Sequence, residues 1–131
     1  MNNVLNTQML ATMGDGIAVL GVGRYALAVR FRVRDSAVEC RVPTWSGVGD
    51  LLEEPMEVTL VAVGEAGPSL RWIFVRGPAA TVSDPDWEGL QPPANGRVSP
   101  DDLYQVVRVE PRRMELIDEE RGWGFRETVD R

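Results

Sequence analysis

The chemistry open to this chain depends first on its arginines. All 14 basic residues are Arg, and the sequence contains neither Lys nor His. This composition excludes a lysine Schiff base, a phosphate-loop lysine, a Ser-His-Asp or Cys-His nucleophile pair and a zinc ion held by His. If the protein is an enzyme, we therefore expect a cofactor to supply its chemistry.

The arginines are concentrated in one segment. From Arg24 to Arg41, five Arg oppose two acidic residues, a local balance of +3 in a chain whose formal charge is -6. Guanidinium groups bind phosphate bidentately and stay charged at any working pH, so Arg30, Arg32 and Arg41 are candidates for holding a phosphate-bearing ligand. The competing interpretation is that these arginines solvate the outer face of a sheet and pair with neighbouring carboxylates.

A second candidate is the segment 43–49, in which Thr44 and Ser46 carry hydroxyl groups and two glycines follow. Backbone N–H groups and hydroxyls at a strand-to-helix turn can cradle a phosphate. Ser46 as an ordinary helix N-cap explains the same residues without a ligand. Trp45 and Trp72 offer flat apolar faces for a planar ring, although core or dimer contacts would use them equally well.

The other reactive side chains indicate no site of their own. Cys40 lies inside a predicted strand, where we expect a small buried hydrophobe, and a lone Cys excludes an intramolecular disulfide. The acidic residues 53–54 and 118–120 have no spacing that defines a coordination geometry, so we expect them on solvated faces and assign no metal site. A metal-dependent hydrolase built on residues 118–120 is a remote alternative.

Strands must position these residues. Apolar and alternating segments between Gly and Pro predict strands over 17–22, 26–34, 37–42, 56–63, 70–82 and 104–110, and 113–117 is either the continuation of the last strand or the next one. Within 26–34 the odd-numbered residues face the core, and Arg30, Arg32 and Arg34 face outward. Gly77 and Pro78 predict a bulge or bend in the longest strand.

Helices are few and short in this prediction. We expect one from Ser46 to Glu54 and a helical turn at Ser99, whereas residues 4–13 carry only a weak amphipathic pattern. Residues 83–100, with four of the nine prolines, predict a long surface excursion, and residues 119–131 a charged tail. About six strands joined by hairpins favour a small closed antiparallel barrel.

Length and charge limit the remaining possibilities. With 131 residues, 44% of them hydrophobic, the chain is expected to form a single domain over 1–131. The charge of -6 and the pI of about 4.7 argue against nucleic acid or an anionic membrane as partners. The first residues lack the plan of a secretory signal and no apolar run could span a bilayer, so we expect a cytoplasmic protein.

The order of elements and several segments resemble the pyridoxamine 5'-phosphate oxidase-like family of FMN-binding split barrels, over about residues 17–126. The segments that carry the resemblance are 25–31 (YALAVRF), 44–46 (TWS), 51–60 (LLEEPMEVTL), 72–79 (WIFVRGPA), 104–116 (YQVVRVEPRRMEL) and 121–125 (RGWGF). The last two look like the closing strands and tail of small single-domain members. The Arg-rich closing motif of true pyridoxamine phosphate oxidases is not visible, which argues against pyridoxal phosphate synthesis.

The resemblance implies a mainly β fold: a six-stranded antiparallel split β-barrel with short helices, which forms a homodimer with FMN in a groove at the interface. Residues 29–31 would border the flavin ring, residues 44–46 would approach the ribityl phosphate, and Trp72 would come from across the interface. Arg30 or Arg41 would substitute for the basic phosphate anchor of many members. The cofactor-binding residues implied in this way are Val29, Arg30, Phe31, Arg41, Thr44, Trp45, Ser46 and Trp72.

Two functions are compatible with these residues. The first is an FMN-dependent oxidase or reductase that passes a hydride between a nicotinamide or small substrate and the flavin, with no catalytic side chain assigned. The alternative is a cofactor-free split barrel that binds a small ligand or a protein and catalyses nothing. It is motivated by Gly47, Val48 and Gly49, which stand where many family members have an Arg or Lys.

Overall fold

A computed structural model describes residues 16–66, 68–92 and 98–130, so the amphipathic pattern at 4–13 lies outside the described residues. The strands are β1 Gly16–Val22, β2 Tyr25–Arg34, β3 Ala37–Pro43, β4 Met56–Ala66, β5 Ser69–Thr81, β6 Tyr104–Val109, β7 Arg113–Asp118 and β8 Arg126–Asp130. The helical segments are α1 Val48–Leu51, α2 Pro100–Leu103 and two 3-10 turns, Thr44–Ser46 and Glu119–Arg121. The predicted mainly β fold class is confirmed.

Six of these strands close a barrel. The order β4-β1-β2-β3-β6-β5 returns to its start because β5 also pairs with β4, and every pairing is antiparallel. Outside the ring, β7 pairs with β5 and β8 pairs with β7. The predicted six-stranded antiparallel barrel with short helices is therefore confirmed. Residues 119–131 were predicted to form a charged tail, but the structure places the strand β8 within them.

The longest strand, β5, is shared between two partners. Residues 71–76 pair with β7, and residues 79–81 pair with β6. The change of partner occurs at Gly77 and Pro78, where the sequence predicted a bulge or bend. A Cβ atom added at Gly77 would lie 1.9 Å from the carbonyl oxygen of Glu110, so only glycine permits this close crossing of backbones.

One face of each barrel strand fills the interior, as the alternation within 26–34 predicted. The fully or nearly fully buried set includes Leu20, Val22, Val29, Phe31, Val38, Cys40, Val42, Leu60, Val75 and Val107. Burial raises the pKa of the Cys40 thiol well above its usual range, with a smaller contribution from Glu39. Cys40 is thus the small buried hydrophobe that its position predicted, because the thiol stays neutral inside the barrel.

The segment after β5 is not only a surface excursion. Leu90 is 1% exposed, and backbone carbonyls of this segment accept hydrogen bonds from Arg32 and Arg41 on the barrel wall. The predicted surface position holds for Asp86, Glu88 and Gly89, which are exposed, and is wrong for Leu90. A loop can lie against a barrel only when other groups satisfy its backbone, and the outward arginines supply those donors.

Two further local predictions need correction. Helix α1 spans only Val48–Leu51, and its N-cap is Gly47 at φ 74°, while Ser46 Oγ accepts from the Val48 N–H at 3.3 Å. Asp118, predicted on a solvated face, is 5% exposed and accepts from the Glu120 N–H at 3.1 Å. The carboxylate is used to close the 3-10 turn that follows β7.

Candidate functional site

The outward face of β2, β3 and β6 carries a row of charges that compensate each other, here called the paired row: Arg32, Glu39 and Arg108. In cross-strand register Arg32 lies opposite Glu39, and Glu39 lies opposite Arg108. Arg32 and Glu39 are each 5% exposed, with Nη2 of Arg32 2.7 Å from Oε1 of Glu39. Arg108 donates to the other oxygen of Glu39 at 3.2 Å. Arg32 is therefore neutralised by the fold, as the competing interpretation of the arginines held.

The neighbouring row, called the arginine row, contains Arg30 on β2 and Arg41 on β3. The two residues are directly opposite each other in the register. Among the residues that the structure describes, neither forms an ion pair with a carboxylate. Like charges directly opposite on neighbouring strands repel. The arginine row is therefore a place where the fold holds uncompensated positive charge.

Arg41 is held by neutral groups. Its Nη1 donates to the carbonyl oxygen of Leu90 at 2.9 Å, and its guanidinium carbon lies 4.8 Å from the centroid of the Tyr104 ring. The ring face attracts the cation without cancelling its charge. The remaining N–H groups of Arg41 are thus available to an anionic ligand.

Both arginines border a surface cavity of about 210 Å³. Its walls, which together we call the arginine groove, are Ile17, Ala28, Val29, Arg30, Arg41, Pro43 and Tyr104. The groove is thus apolar on one side and cationic on the other, and Tyr104 contributes an aromatic wall. This arrangement suits a ligand with an anionic end and an apolar body.

Of residues 29–31, which the resemblance placed against the flavin ring, Arg30 alone points outward. Val29 and Phe31 are 4% and 2% exposed, and both belong to the barrel core. Val29 still borders the arginine groove at its base. The structure therefore brings Val29, Arg30 and Arg41 together.

The turn at residues 44–46 follows directly from Pro43 in the groove wall, and its hydroxyl groups already have partners. Thr44 Oγ1 donates to the carbonyl oxygen of Leu103 at 3.2 Å, and Ser46 Oγ donates to that of Pro43 at 2.6 Å. Trp45 is 85% exposed. The two hydroxyls thus stabilise the turn, and Trp45 is free to contact another molecule.

Trp72 lies on the outward face of β5, opposite Val63 on β4 and Ile117 on β7. Strands β1 and β4 separate it from Arg30, so the chain by itself does not bring Trp72 to the arginine groove. The outward-facing side chains of this region are apolar, and they are exposed or half-buried. We call this surface the apolar stripe; its members are Ile17, Val19, Val61, Val63, Trp72 and Phe74.

Sequence reasoning missed the apolar stripe, although a signal was present. Ile17, Val19 and Val63 are 59%, 47% and 57% exposed, which is unusual for large apolar residues side by side on one sheet face. The segments 17–22 and 58–63 are apolar at almost every position, without the polar alternate residues of a strand with one solvated face. Such a run indicates a strand that is covered on both faces.

No group of three or more His, Cys, Asp and Glu residues in the described ranges is arranged to hold a metal ion. Likewise, no helix in the described part of the chain is long and apolar enough to cross a membrane. The carboxylate of Glu39 on the barrel wall is used in ion pairs with the arginines of the paired row. The arginine groove and the apolar stripe are therefore the features to explain.

Comparison with solved structures supports the predicted split-barrel fold. The chain matches a FAD-binding protein from Mycobacterium smegmatis with a TM-score of 0.61 and 17% identity, over 95% of this chain and 96% of that one. It matches a candidate pyridoxamine 5'-phosphate oxidase from Corynebacterium glutamicum with a TM-score of 0.53 and 19% identity, over 87% and 91% of the two chains. The resemblance seen in the sequence is thus confirmed at the level of the fold.

A third solved structure with this fold is a heme-binding protein from Mycobacterium smegmatis, with a TM-score of 0.64 and 12% identity. The match covers 95% of this chain but only 56% of that protein. No protein-family model matches the sequence, and a search among curated proteins gives no match. The ligand of this chain must therefore be argued from its own residues.

Proposed function

We propose that this chain is a single-domain, homodimeric flavin-binding protein that holds FMN by its phosphate in the arginine groove. The observation that carries the proposal is the uncompensated pair Arg30 and Arg41, opposite each other at the end of an apolar surface. A phosphomonoester carries close to two negative charges at neutral pH, which matches two guanidinium groups. The FAD-binding neighbour of the same fold agrees with a flavin ligand.

The apolar stripe fits the ring system of such a ligand. Arg30 lies opposite Ile17 on β1, β1 pairs with β4, and Val63 on β4 lies opposite Trp72 on β5, so an outward row crosses these four strands. At about 4.8 Å between neighbouring strands, this row is about 14 Å long. A phosphate at its arginine end and a planar ring on its apolar part would occupy one continuous surface, and residues 44–46 border the phosphate end.

The same stripe supports self-association. Exposed apolar patches on a sheet mark interaction surfaces, and the isologous interface of a twofold dimer would cover the stripe on both copies. In such a dimer Trp72 of one copy can approach the flavin of the other, as the resemblance implies. A molar mass of two chains by light scattering is the expected result.

The flavin, when bound, supplies the redox chemistry by accepting or donating a hydride. The protein residues then have three tasks, namely to hold the phosphate, to orient the ring and to exclude water. Arg30 and Arg41 perform the first task, and the apolar stripe performs the other two. None of these tasks needs a general base, which agrees with a chain that has neither His nor Lys. The finer proposal is an oxidase or reductase acting on a nicotinamide or another small molecule.

We further propose a cytoplasmic location, with neither nucleic acid nor a membrane as partner. The net charge of -6 supports this part of the proposal, because both of those partners are polyanionic surfaces. The positive charge is confined to the arginine groove, whose cavity of about 210 Å³ can hold one small anionic group.

The test is a titration of the purified full chain with FMN, followed by visible absorption and Trp fluorescence. We expect saturable binding of one FMN per chain. Arg30→Ala should weaken it at least about tenfold, because a hydrogen bond to a charged group contributes about 1.5–3 kcal/mol. Arg24→Ala, which removes an exposed arginine at the β1–β2 turn, is the matched control and should bind as the wild type does.

The alternative function is a cofactor-free barrel that binds a different ligand or a protein. The observation in its favour is that the hydroxyls of Thr44 and Ser46 already donate to backbone carbonyls. A colourless protein whose Trp fluorescence is indifferent to micromolar FMN would exclude the flavin proposal and leave this alternative.

A further inference from the structure

Residues 86–90, between β5 and α2, form a strap over the outward face of β2 and β3. Arginines hold it at alternate positions: Arg34 Nη1 lies 3.1 Å from Asp86 Oδ2, Arg32 Nη1 donates to the Glu88 carbonyl, and Arg41 Nη1 donates to the Leu90 carbonyl at 2.9 Å. Between these anchors the Leu90 side chain is 1% exposed. The strap is therefore attached by charged donors and by one buried apolar residue.

Arg41 contacts the strap and also lines the arginine groove. One N–H of Nη1 is used by the Leu90 carbonyl, while the same guanidinium lies over the Tyr104 ring and lines the groove with Arg30. A guanidinium is planar and its N–H groups have fixed relative directions. The bond to Leu90 therefore sets where the remaining N–H groups of Arg41 point.

We propose that closure of the strap positions Arg41 for the anion in the arginine groove, and that a bound anion in turn holds the strap closed. The inference rests on the anion site of the proposed function and adds its regulation by residues outside the groove. Asp86 and Arg34 are then positioning residues, since they act on the ligand only through the strap. Coupling of this kind is reciprocal: each event favours the other by the same factor.

The sign of the coupling follows from charge. Arg30 repels Arg41 across the two strands, and the Leu90 carbonyl is the hydrogen-bond acceptor that keeps Arg41 in place. When the strap opens, Arg41 loses this acceptor and can turn away from Arg30. A bound anion cancels the repulsion, so it favours the geometry in which the strap is closed.

The test combines hydrogen exchange with ligand affinity in the full chain. The Leu90 N–H donates to the Trp87 carbonyl at 2.9 Å, and Leu90 is buried only while the strap lies on the barrel, so strap opening exposes this N–H to water and its exchange rate reports the opening. We expect saturating inorganic phosphate, and separately FMN, to slow this exchange about fivefold or more. Asp86→Ala removes the Arg34 pair and the acceptor of the Glu88 N–H, and should weaken binding of both ligands by about the same factor.

Asp130→Ala is the matched control, because Asp130 also forms an exposed pair with an arginine, Arg113, but far from the strap. It should change neither the Leu90 exchange nor the affinities. If Asp86→Ala speeds the exchange of Leu90 while both affinities stay at the wild-type value, the strap is only structural and the coupling is refuted.

Failure of this inference can be told apart from failure of the proposed function. FMN that binds tightly without slowing Leu90 exchange overturns the coupling and leaves the flavin proposal intact. Phosphate that slows the exchange in a chain that ignores FMN overturns the flavin proposal and supports the coupling. A chain that binds neither ligand refutes both.

Discussion

Arg30 and Arg32 are two residues apart on one strand and share its outward face, yet the fold treats them in opposite ways. Arg32 is 5% exposed and paired with Glu39 at 2.7 Å, under the strap. Arg30 is exposed, lies opposite another arginine and has no carboxylate partner among the described residues. The difference arises from the strand across the register, which offers Glu39 to one arginine and Arg41 to the other.

Residues for stability and residues for binding therefore occupy different rows of this barrel. In the paired row, the carboxylate of Glu39 supplies the counter-charge for Arg32 and Arg108, so this row needs no ligand. The arginine row leaves positive charge next to an apolar surface, and a ligand can supply what the chain does not. A change of charge in the paired row should therefore alter the free energy of unfolding, and a change of charge in the arginine row should alter the affinity for a ligand.

The largest effect is expected from Glu39→Gln, which keeps the side-chain shape and removes the charge between Arg32 and Arg108. A buried arginine then lacks its counter-ion, and loss of one partner of a buried pair costs about 3–5 kcal/mol in free energy of unfolding. Urea denaturation measures the loss. Glu115→Gln is the control, since Glu115 also contacts two arginines, and these are largely solvent-accessible. Equal losses in the two variants would show that the paired row has no special role.

A smaller effect is expected when the arginine row is given the charge that it lacks. Ile17 lies directly opposite Arg30 on β1 and is 59% exposed, so Ile17→Glu places a carboxylate beside that arginine. An exposed ion pair is worth up to about 1 kcal/mol, so FMN affinity should fall about fivefold. Ile17→Gln has the same shape without the charge and should bind FMN more tightly than Ile17→Glu. Equal affinities would mean that Arg30 does not meet the phosphate.

The smallest effect is expected from exposed pairs, and it depends on pH. The Arg126 guanidinium, assisted by Arg113, holds the pKa of Glu115 below its usual range, against the opposing effect of partial burial. A carboxyl with a lowered folded pKa contributes stability above its unfolded pKa, about 4.3, and loses it as pH falls through the folded value. Urea denaturation from about pH 6 to pH 3 should therefore show the wild type losing its advantage over Glu115→Gln. A constant difference would contradict this assignment.

Much of the barrel follows from local pattern. Period-two alternation placed Val29 and Phe31 in the core and Arg30 on the outside, because successive side chains of a strand point to opposite faces whatever its partners are. Gly77 and Pro78 predicted the place where β5 changes partner, because glycine admits a close backbone and proline lacks an N–H donor. Charge alone selected Arg30, Arg32 and Arg41 as candidates, and it could not show that Arg32 is neutralised by Glu39.

Other features depended on contacts between distant parts of the chain. The strap could not be predicted, because its carbonyl partners, Arg32 and Arg41, lie about 50 residues earlier in the sequence. The eighth strand resembled a charged tail, because the pairs of Arg126 with Glu115 and of Asp130 with Arg113 form only once β7 and β8 are adjacent.

Residue type and short-range spacing are enough to predict the mainly β class, the two faces of each strand and the cluster of arginines. Which arginine is neutralised depends instead on how the strands pair in the folded barrel. Register sets Glu39 against Arg32 and Arg41 against Arg30, and a shift of one residue would reverse which side chains share a face. The binding properties of this barrel therefore come from how its strands are aligned, beyond what each strand contains.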